Sequence, residues 1–403
     1  IPSRENDDRF GTKLLALIDG CVYKMGDFGV RRARGVLLLA LAATLIAMFG
    51  ISKVRFSHDP IRWYNEEHPI RIASEIVDAE MNGTQSFEVL FDTHQDSGLY
   101  DPRAMKLLED SKSLIEGLYV KDVKPKNATS ILSVVKETHK ALNGGSEEFY
   151  RIPDNRESIA QELLLFENSD PEDIDDFTDA GFQVARMTVA MPWSNAIDYQ
   201  EYIYTLQEEL AALIAGSGLK EVTVKVVGVT VIFAHTLQAM LSTMVKSYGL
   251  ALLLVGLLMF VLMGSFRRGL LAFLPNVVPI AFTVGMMGWM DIPLNMLTSV
   301  VGCIIIGISV DDTIHFMHHF RRISDKEPDP QIAVHATLET VGRAITFTSI
   351  VLLGGFVVNI FDIFSSARAF GVLMCFSVVA ALVANLLLAP ALMTLFWDPQ
   401  RSR

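Results

Sequence analysis

Two aspartates stand side by side in an otherwise apolar stretch. Gly307–Phe316 reads GISVDDTIHF, with the pair at Asp311 and Asp312 and a histidine close behind at His315. A carboxylate at the centre of a membrane helix costs roughly 2.5–3.5 kcal/mol on insertion scales, so such groups face a bundle interior or a water cavity and mark ion paths. Neighbouring carboxylates held away from water are suited to taking up and releasing protons. If protonation shifts the packing of the helix, the site can load from one side and discharge to the other. Successive helical residues point about 100° apart, so the two carboxylates do not occupy one spot. They share His315, one turn further on.

Polar residues in the neighbouring apolar runs are the candidate partners of this pair. They are Ser309 on the same segment, Thr346, Thr348 and Ser349 early in the next, and Asn385 in the last. Asp311, His315 and His319 also recur at helical spacing. Zinc-binding helices pair two histidines with an outside ligand and a catalytic glutamate, and nothing else supplies these, so no metal and no cofactor are expected. His315 reads either as an interfacial histidine or as part of a proton relay. In the segment before, LPNVVPI places Pro275 and Pro279 around Asn276. Each proline frees a backbone carbonyl and bends the helix, making this a hinge or a rigid kink. Gly285, Gly288, Gly302, Gly307, Gly354 and Gly355 read as close helix-packing positions.

Six segments are long and apolar enough to hold these residues in a bilayer, which needs about 20 helical residues to span. They are Val36–Ser52, Tyr248–Phe266, Leu270–Met290, Leu294–Phe316, Ala344–Ile360 and Phe370–Phe396. Asn385 and Pro390 are expected to interrupt the last. The basic residues Arg31, Arg32, Arg34, Arg267, Arg268, Arg321, Arg322, Lys326, Arg401 and Arg403 all fall on one side if every segment spans. By the positive-inside rule that side is the cytoplasm. The chain has 403 residues, 51% hydrophobic and 20% charged. That mixture is too apolar for a soluble enzyme and too charged for a wholly embedded one. It points to a membrane domain joined to a large aqueous one.

The expected organisation is a cytoplasmic amphipathic lead-in over residues 1–35, a first membrane helix over 36–52, an extracytoplasmic domain over 53–244, five membrane helices over 245–397, and a cytoplasmic tail over 398–403. Within the aqueous domain, Ser86–Thr93, Gly181–Pro192 and Glu221–Val229 alternate like strands. The segments after Pro102 and over Tyr199–Gly216 are amphipathic and helical. This fits the split βαβ pattern of an α+β ferredoxin-like domain. The lead-in carries Leu14, Ile18, Cys21, Val22, Met25 and Phe28 at helical spacing, as a helix on the membrane surface or packed on a cytosolic partner outside this chain. The net charge of −12 leaves no basic surface for nucleic acid. Three scattered cysteines, Cys21, Cys303 and Cys375, form no disulfide framework. NGT at Asn82 and NAT at Asn127 are glycosylation triplets. Ile1 rather than Met at the start is read as a fragment of a longer polypeptide.

One helix, a large outside domain, five helices and GISVDDTIHF on the fourth together resemble one half of an RND-superfamily transporter, nearest its MMPL-type branch of hydrophobe and lipid exporters. LPNVVPI and GRAITFTSIVLLGGF, opening the fifth helix, add to the resemblance, which covers nearly the whole chain. It implies the C-terminal half of a two-half, twelve-helix protein in the inner (cytoplasmic) membrane, with its large porter domain on the periplasmic side. It also implies a proton-motive-force-driven antiporter, not an enzyme, that works as a monomer or homo-oligomer. Its partners would be a lipid or hydrophobic small-molecule substrate, protons, and the missing N-terminal or a homologous half. The family's Gly-x-x-x-Asp-Asp/Tyr motif falls on Gly307, Asp311 and Asp312, and ranks Asp311 above Asp312 as proton carrier. No lysine stands in this helix, which departs from the multidrug-pump branch. The same helix plan would also serve a sterol- or lipid-sensing receptor that does not pump, or an auxiliary subunit of a secretion motor.

Overall fold

A computed structural model describes residues 4–57, 59–81, 83–169, 171–219 and 221–397, with the side chains of 4–15, 171, 172 and 196 outside that set. The expectations for Leu14, Asn82, Arg401 and Arg403 therefore lie outside the described residues. In chain order the helices α1 (Arg4–Arg31) and α2 (Ala33–Ile51) come first. Then follow α3 (Pro69–Glu80), β1 (Gln85–Asp92), α4 (Pro102–Gly117), β2 (Asn127–Thr129), α5 (Ile131–Leu142), α6 (Arg156–Ser169), α7 (Pro171–Ile174), β3 (Val184–Met191), α8 (Ala196–Ser217) and β4 (Thr223–Val227). The remainder is helical: α9 (Val229–Met263), α10 (Phe266–Trp289), α11 (Met296–Ser324), α12 (Pro330–Thr337), α13 (Arg343–Val357), α14 (Ser365–Val383) and α15 (Ala389–Phe396). Two π-helical turns, Leu338–Gly342 and Ala384–Leu388, join α12 to α13 and α14 to α15.

The chain divides into two compact units, His58–Met240 and the combination of Ile1–Ser57 with Leu241–Arg403. The first is the sheet unit. Its strands run β2-β3-β1-β4, every neighbouring pair antiparallel. Two strand–helix–strand passages, β1-α4-β2 and β3-α8-β4, interleave to give that order. Alternation decides the faces. Phe87, Val89 and Phe91 of β1 and Met187, Val189 and Met191 of β3 are buried with Met105, Leu108 and Ile115 of α4 and Tyr202, Leu206 and Leu210 of α8. The opposite face carries Ser86, Glu88, Leu90 and Arg186, with Glu88 and Arg186 paired at 3.4 Å. β2 was not expected. Three residues at a sheet edge have no pattern long enough to see, and they directly precede a helix capped by Ser130.

Among the described residues six helices are long and apolar enough to cross a membrane: Ala33–Ile51, Val229–Met263, Phe266–Trp289, Met296–Ser324, Pro330–Phe361 and Ser365–Phe396. Their number matches the six apolar runs, but three boundaries move widely. The second helix starts at Val229 rather than Tyr248, the fourth continues to Ser324 rather than Phe316, and the fifth starts at Pro330 rather than Ala344. These extensions are too polar for a hydropathy signal while remaining helical. α10 runs unbroken through the buried Pro275 and Pro279. It lies close against α2, where a Cβ added at Gly285 would fall 2.6 Å from the Ala47 carbonyl oxygen. The interruption expected near Asn385 is the π turn Ala384–Leu388.

The lead-in is helical, as its spacing predicts. Ile18, Val22 and Val30 of α1 are buried in one cluster with Ala333, Val334, Leu338, Leu388 and Met393. Part of the apolar face of α1 is thus covered by the chain's own helices, while Cys21 and Phe28 are exposed. Arg343, opening α13, donates to both carboxylate oxygens of Asp19, at 2.7 and 2.5 Å. Tyr23 lies against the His335 ring at 5.5 Å between centroids.

Candidate proton site in the helical unit

α11 holds the paired carboxylates. Its first turn is fixed by a capping box: the Asn295 side chain accepts from Leu297 N at 3.0 Å and Thr298 N at 2.9 Å, and Thr298 Oγ1 accepts from Asn295 N at 2.9 Å. Asp312 stands about 24 Å along the axis from Met296, well inside the span and not at a helix end.

The two aspartates point to different places. Asp312 is 7% exposed and lies on the buried face with Ile305, Ser309, Thr313, Phe316 and Phe320, at the three- and four-residue spacings of one helix side. The Asp311 side chain is 76% exposed and faces His315, 64% exposed, at 3.6 Å. Gly307 and Asp311 share this outward stripe, and a Cβ added at Gly307 would have nothing within 4 Å among the described residues. Asp312, ranked second as proton carrier, is the enclosed carboxylate. His315 pairs with Asp311 on the outward stripe. Gly307 is open, not a packing position within this chain.

The fifth helix also divides. Thr346 donates to Gly342 O at 2.8 Å and is buried, as is Ser349. Thr348 faces outward and donates to its own backbone, to Ile345 O at 2.9 Å. α13 packs chiefly on α14, and α14 in turn packs on α11. Thr346 and Ser349 thus lie on the buried side of a helix that packs mainly on the sixth, and Thr348 is turned outward.

A polar contact between α11 and the sixth helix is made by the residue that follows Asp312. Thr313, next to Asp312, donates from Oγ1 to Asn385 Oδ1 at 3.0 Å. Asn385 lies in the π turn, the kind of local widening that recurs at functional sites. Nearer the Asn295 end, Thr283 of α10 and Ser377 of α14 share a hydrogen bond of 2.8 Å, and Asn295 donates to Ser366 Oγ at 3.1 Å. Thr313, Thr283 and Ser377 escaped sequence reasoning. Each is a lone hydroxyl in an apolar run, and their pairing appears only when α10, α11 and α14 are brought together. No group of three or more His, Cys, Asp or Glu side chains placed to hold a metal occurs among the described residues.

The arrangement is that of a multi-pass membrane protein with an ionisable group enclosed in a helix bundle. The profile of the AcrB/AcrD/AcrF family matches residues 183–403, more than half of the chain. The chain belongs to that family and so to the RND superfamily, whose members are transporters and not enzymes. It is 32% identical over 103 residues to protein dispatched homolog 3 of Mus musculus, covering 26% of this chain and 8% of that protein. It is 28% identical over 145 residues to the putative membrane protein MJ1562 of Methanocaldococcus jannaschii, covering 35% of this chain and 37% of that one. The matches thus span well under two thirds of these relatives.

Proposed function

We propose that this chain is one half of a proton-motive-force-driven exporter of hydrophobic or lipid-like substrates, of the MMPL type, in which Asp312 carries the proton. The observation that carries the reading is the enclosure of Asp312 on the inner face of α11, beside the Thr313–Asn385 hydrogen bond. Neutral Asp312 fits the apolar neighbours Phe316 and Met317. Ionised Asp312 needs donors around it, so gain and loss of the proton favour different packings of α11 against α14. Those two packings are the two states that coupled transport requires.

The outward stripe supports a partner. A charged Asp311 facing hydrocarbon would be costly, and Phe347, Ile350 and Val351 of α13 are exposed as well. A homologous half, or a second copy, covers this face. The positive-inside rule supports a cytoplasmic position for Arg267, Arg321 and Arg322 at the basic ends of the helices. The sheet unit then lies outside an inner membrane, read as a ferredoxin-like porter domain that passes the substrate on. The test uses the full-length gene in its host, comparing envelope lipids by mass spectrometry at equal expression. Asp312→Asn is expected to deplete one lipid class from the outer layer while it accumulates inside. An unchanged profile, where a deletion strain does show the defect, would contradict the pump and favour a lipid-sensing receptor.

A further inference from the structure

Three buried polar atoms near the depth of Asp312 have no hydrogen-bond partner among the described residues: Ser309 Oγ, Asn276 Oδ1 and Asn385 Nδ2. Their residues are 0%, 0% and 1% exposed. Leaving such an atom unsatisfied costs about 1–3 kcal/mol, so three together call for an explanation.

Helix geometry brings them to one level. Thr283 and Ser377 are bonded across α10 and α14. Asn276 is two turns from Thr283 on the same side of α10, about 10 Å further along. Asn385 is about 12 Å beyond Ser377 on the facing helix. The Asn385 carbonyl is taken by Thr313, which leaves its amide nitrogen to donate elsewhere, while Asn276 Oδ1 is left to accept. Ser309, one turn before Thr313 on α11, can do both. Donor, acceptor and hydroxyl are the complement of one water molecule.

The two directions from this level differ. Toward the Asn295 end lie the Thr283–Ser377 pair and the Asn295–Ser366 pair. Toward the Arg321 end the seam is apolar and aromatic. Phe316 and Phe320 stack at 6.2 Å between centroids, and Phe320 meets Trp397 at 5.0 Å. Both phenylalanines and Met317 are wholly buried.

We propose that Ser309, Asn276 and Asn385 hold a water molecule against Asp312, and that this water, reached from the Asn295 end and sealed from the other by Phe316, Phe320 and Trp397, delivers the proton. The transfer takes a proton from the hydronium form of that water to the Asp312 carboxylate and leaves neutral water. The inference rests on the proton-driven reading above.

The test measures proton flux into proteoliposomes made from the host's total lipid extract, using the full-length protein with thermal midpoints recorded in parallel. Ser309→Ala and Asn385→Leu are expected to slow flux by about tenfold or more and to change the solvent deuterium isotope effect. The Ser309→Ala midpoint should stay close to wild type, whereas Asn385→Leu also removes the acceptor of the Thr313 hydroxyl and is expected to lower its midpoint. Wild-type flux and isotope effect in both variants, while Asp312→Asn abolishes flux, would overturn the water site and leave the proton reading standing. Wild-type flux in Asp312→Asn would overturn both. Flux in Ser309→Ala that falls only in step with a falling thermal midpoint would assign a structural role and also overturn the site. Ser309→Ala removes a single atom from a packed position and decides the matter if Asn385→Leu fails to fold.

Discussion

Asp311 and Asp312 are neighbours in sequence that face different sides of α11: the first is paired with His315 on the outer stripe, and the second is on the buried face next to Thr313, which bonds to Asn385 in the π turn. A step of about 100° between successive residues is enough to put one carboxylate inside this chain's bundle and the other on its surface. The two positions of the Asp-Asp motif are therefore not equivalent, and what each contributes can be separated by mutation.

The glycines give one such separation. A Cβ at Gly285 would meet the Ala47 carbonyl oxygen at 2.6 Å, so Gly285→Ala forces α10 away from α2. Overpacking of this kind costs about 1–3 kcal/mol. Gly307→Ala meets nothing within the chain and removes a flexible residue from a helix interior, a gain of up to about 1 kcal/mol. Thermal unfolding of the solubilised protein is expected to rank the two in that order. A loss of transport in Gly307→Ala with stability intact is the result expected if a second half covers the stripe.

Docking of α1 rests on its apolar face more than on its ion pair. Ile18 is 4% exposed, and Ile18→Ala is expected to cost about 2–5 kcal/mol. Asp19 and Arg343 remain half exposed to solvent, where an ion pair contributes less than about 1 kcal/mol. Limited proteolysis should release the lead-in readily in Ile18→Ala and little faster than wild type in Asp19→Ala. Equal release in both would contradict the packing account.

The sheet unit contains a buried carboxyl whose titration bears on stability. Glu162 of α6 is buried and meets His139 Nδ1 of α5 at 2.7 Å. Desolvation holds its carboxyl above the ordinary range, and the hydrogen bond from His139 pulls it partly back. The folded state thus keeps a proton that the unfolded chain has already released. The group's contribution to stability is greatest below the ordinary carboxylate range and falls as pH rises toward the raised folded value. Thermal midpoints of Glu162→Gln and wild type are expected to diverge over that interval, wild type losing stability and the variant not. Parallel curves would contradict the assignment.

How much of this was legible in the sequence depended on which property carried the signal. The six spans are runs of apolar residues and could be counted directly. α9 and α11 overran their expected ends because a helix continues into polar sequence without any hydropathy mark. The rotation of α11 was not legible, since Ile304, Ile305, Ile306 and Ile308 surround its axis and no single side is polar enough to declare itself. The resemblance to the family supplied the Asp-Asp motif but could not tell which carboxylate is enclosed, and packing encloses Asp312. For α1 the amphipathic pattern was correct, yet periodicity shows only that a face is covered and not by what. The choice of partners for Asp312 met the same limit: Thr346 and Ser349 had suitable chemistry, but the sequence does not show that α13 packs chiefly on α14.

Proton flux through the reconstituted full-length protein tests the central claim most directly. Proteoliposomes of host lipid extract would be given an imposed pH gradient, and flux compared among wild type, Asp311→Asn and Asp312→Asn at equal protein content and thermal midpoint. The enclosed position of Asp312 predicts that Asp312→Asn abolishes the flux and that Asp311→Asn leaves a measurable part of it. Wild-type flux in Asp312→Asn, or complete loss confined to Asp311→Asn, would contradict the account.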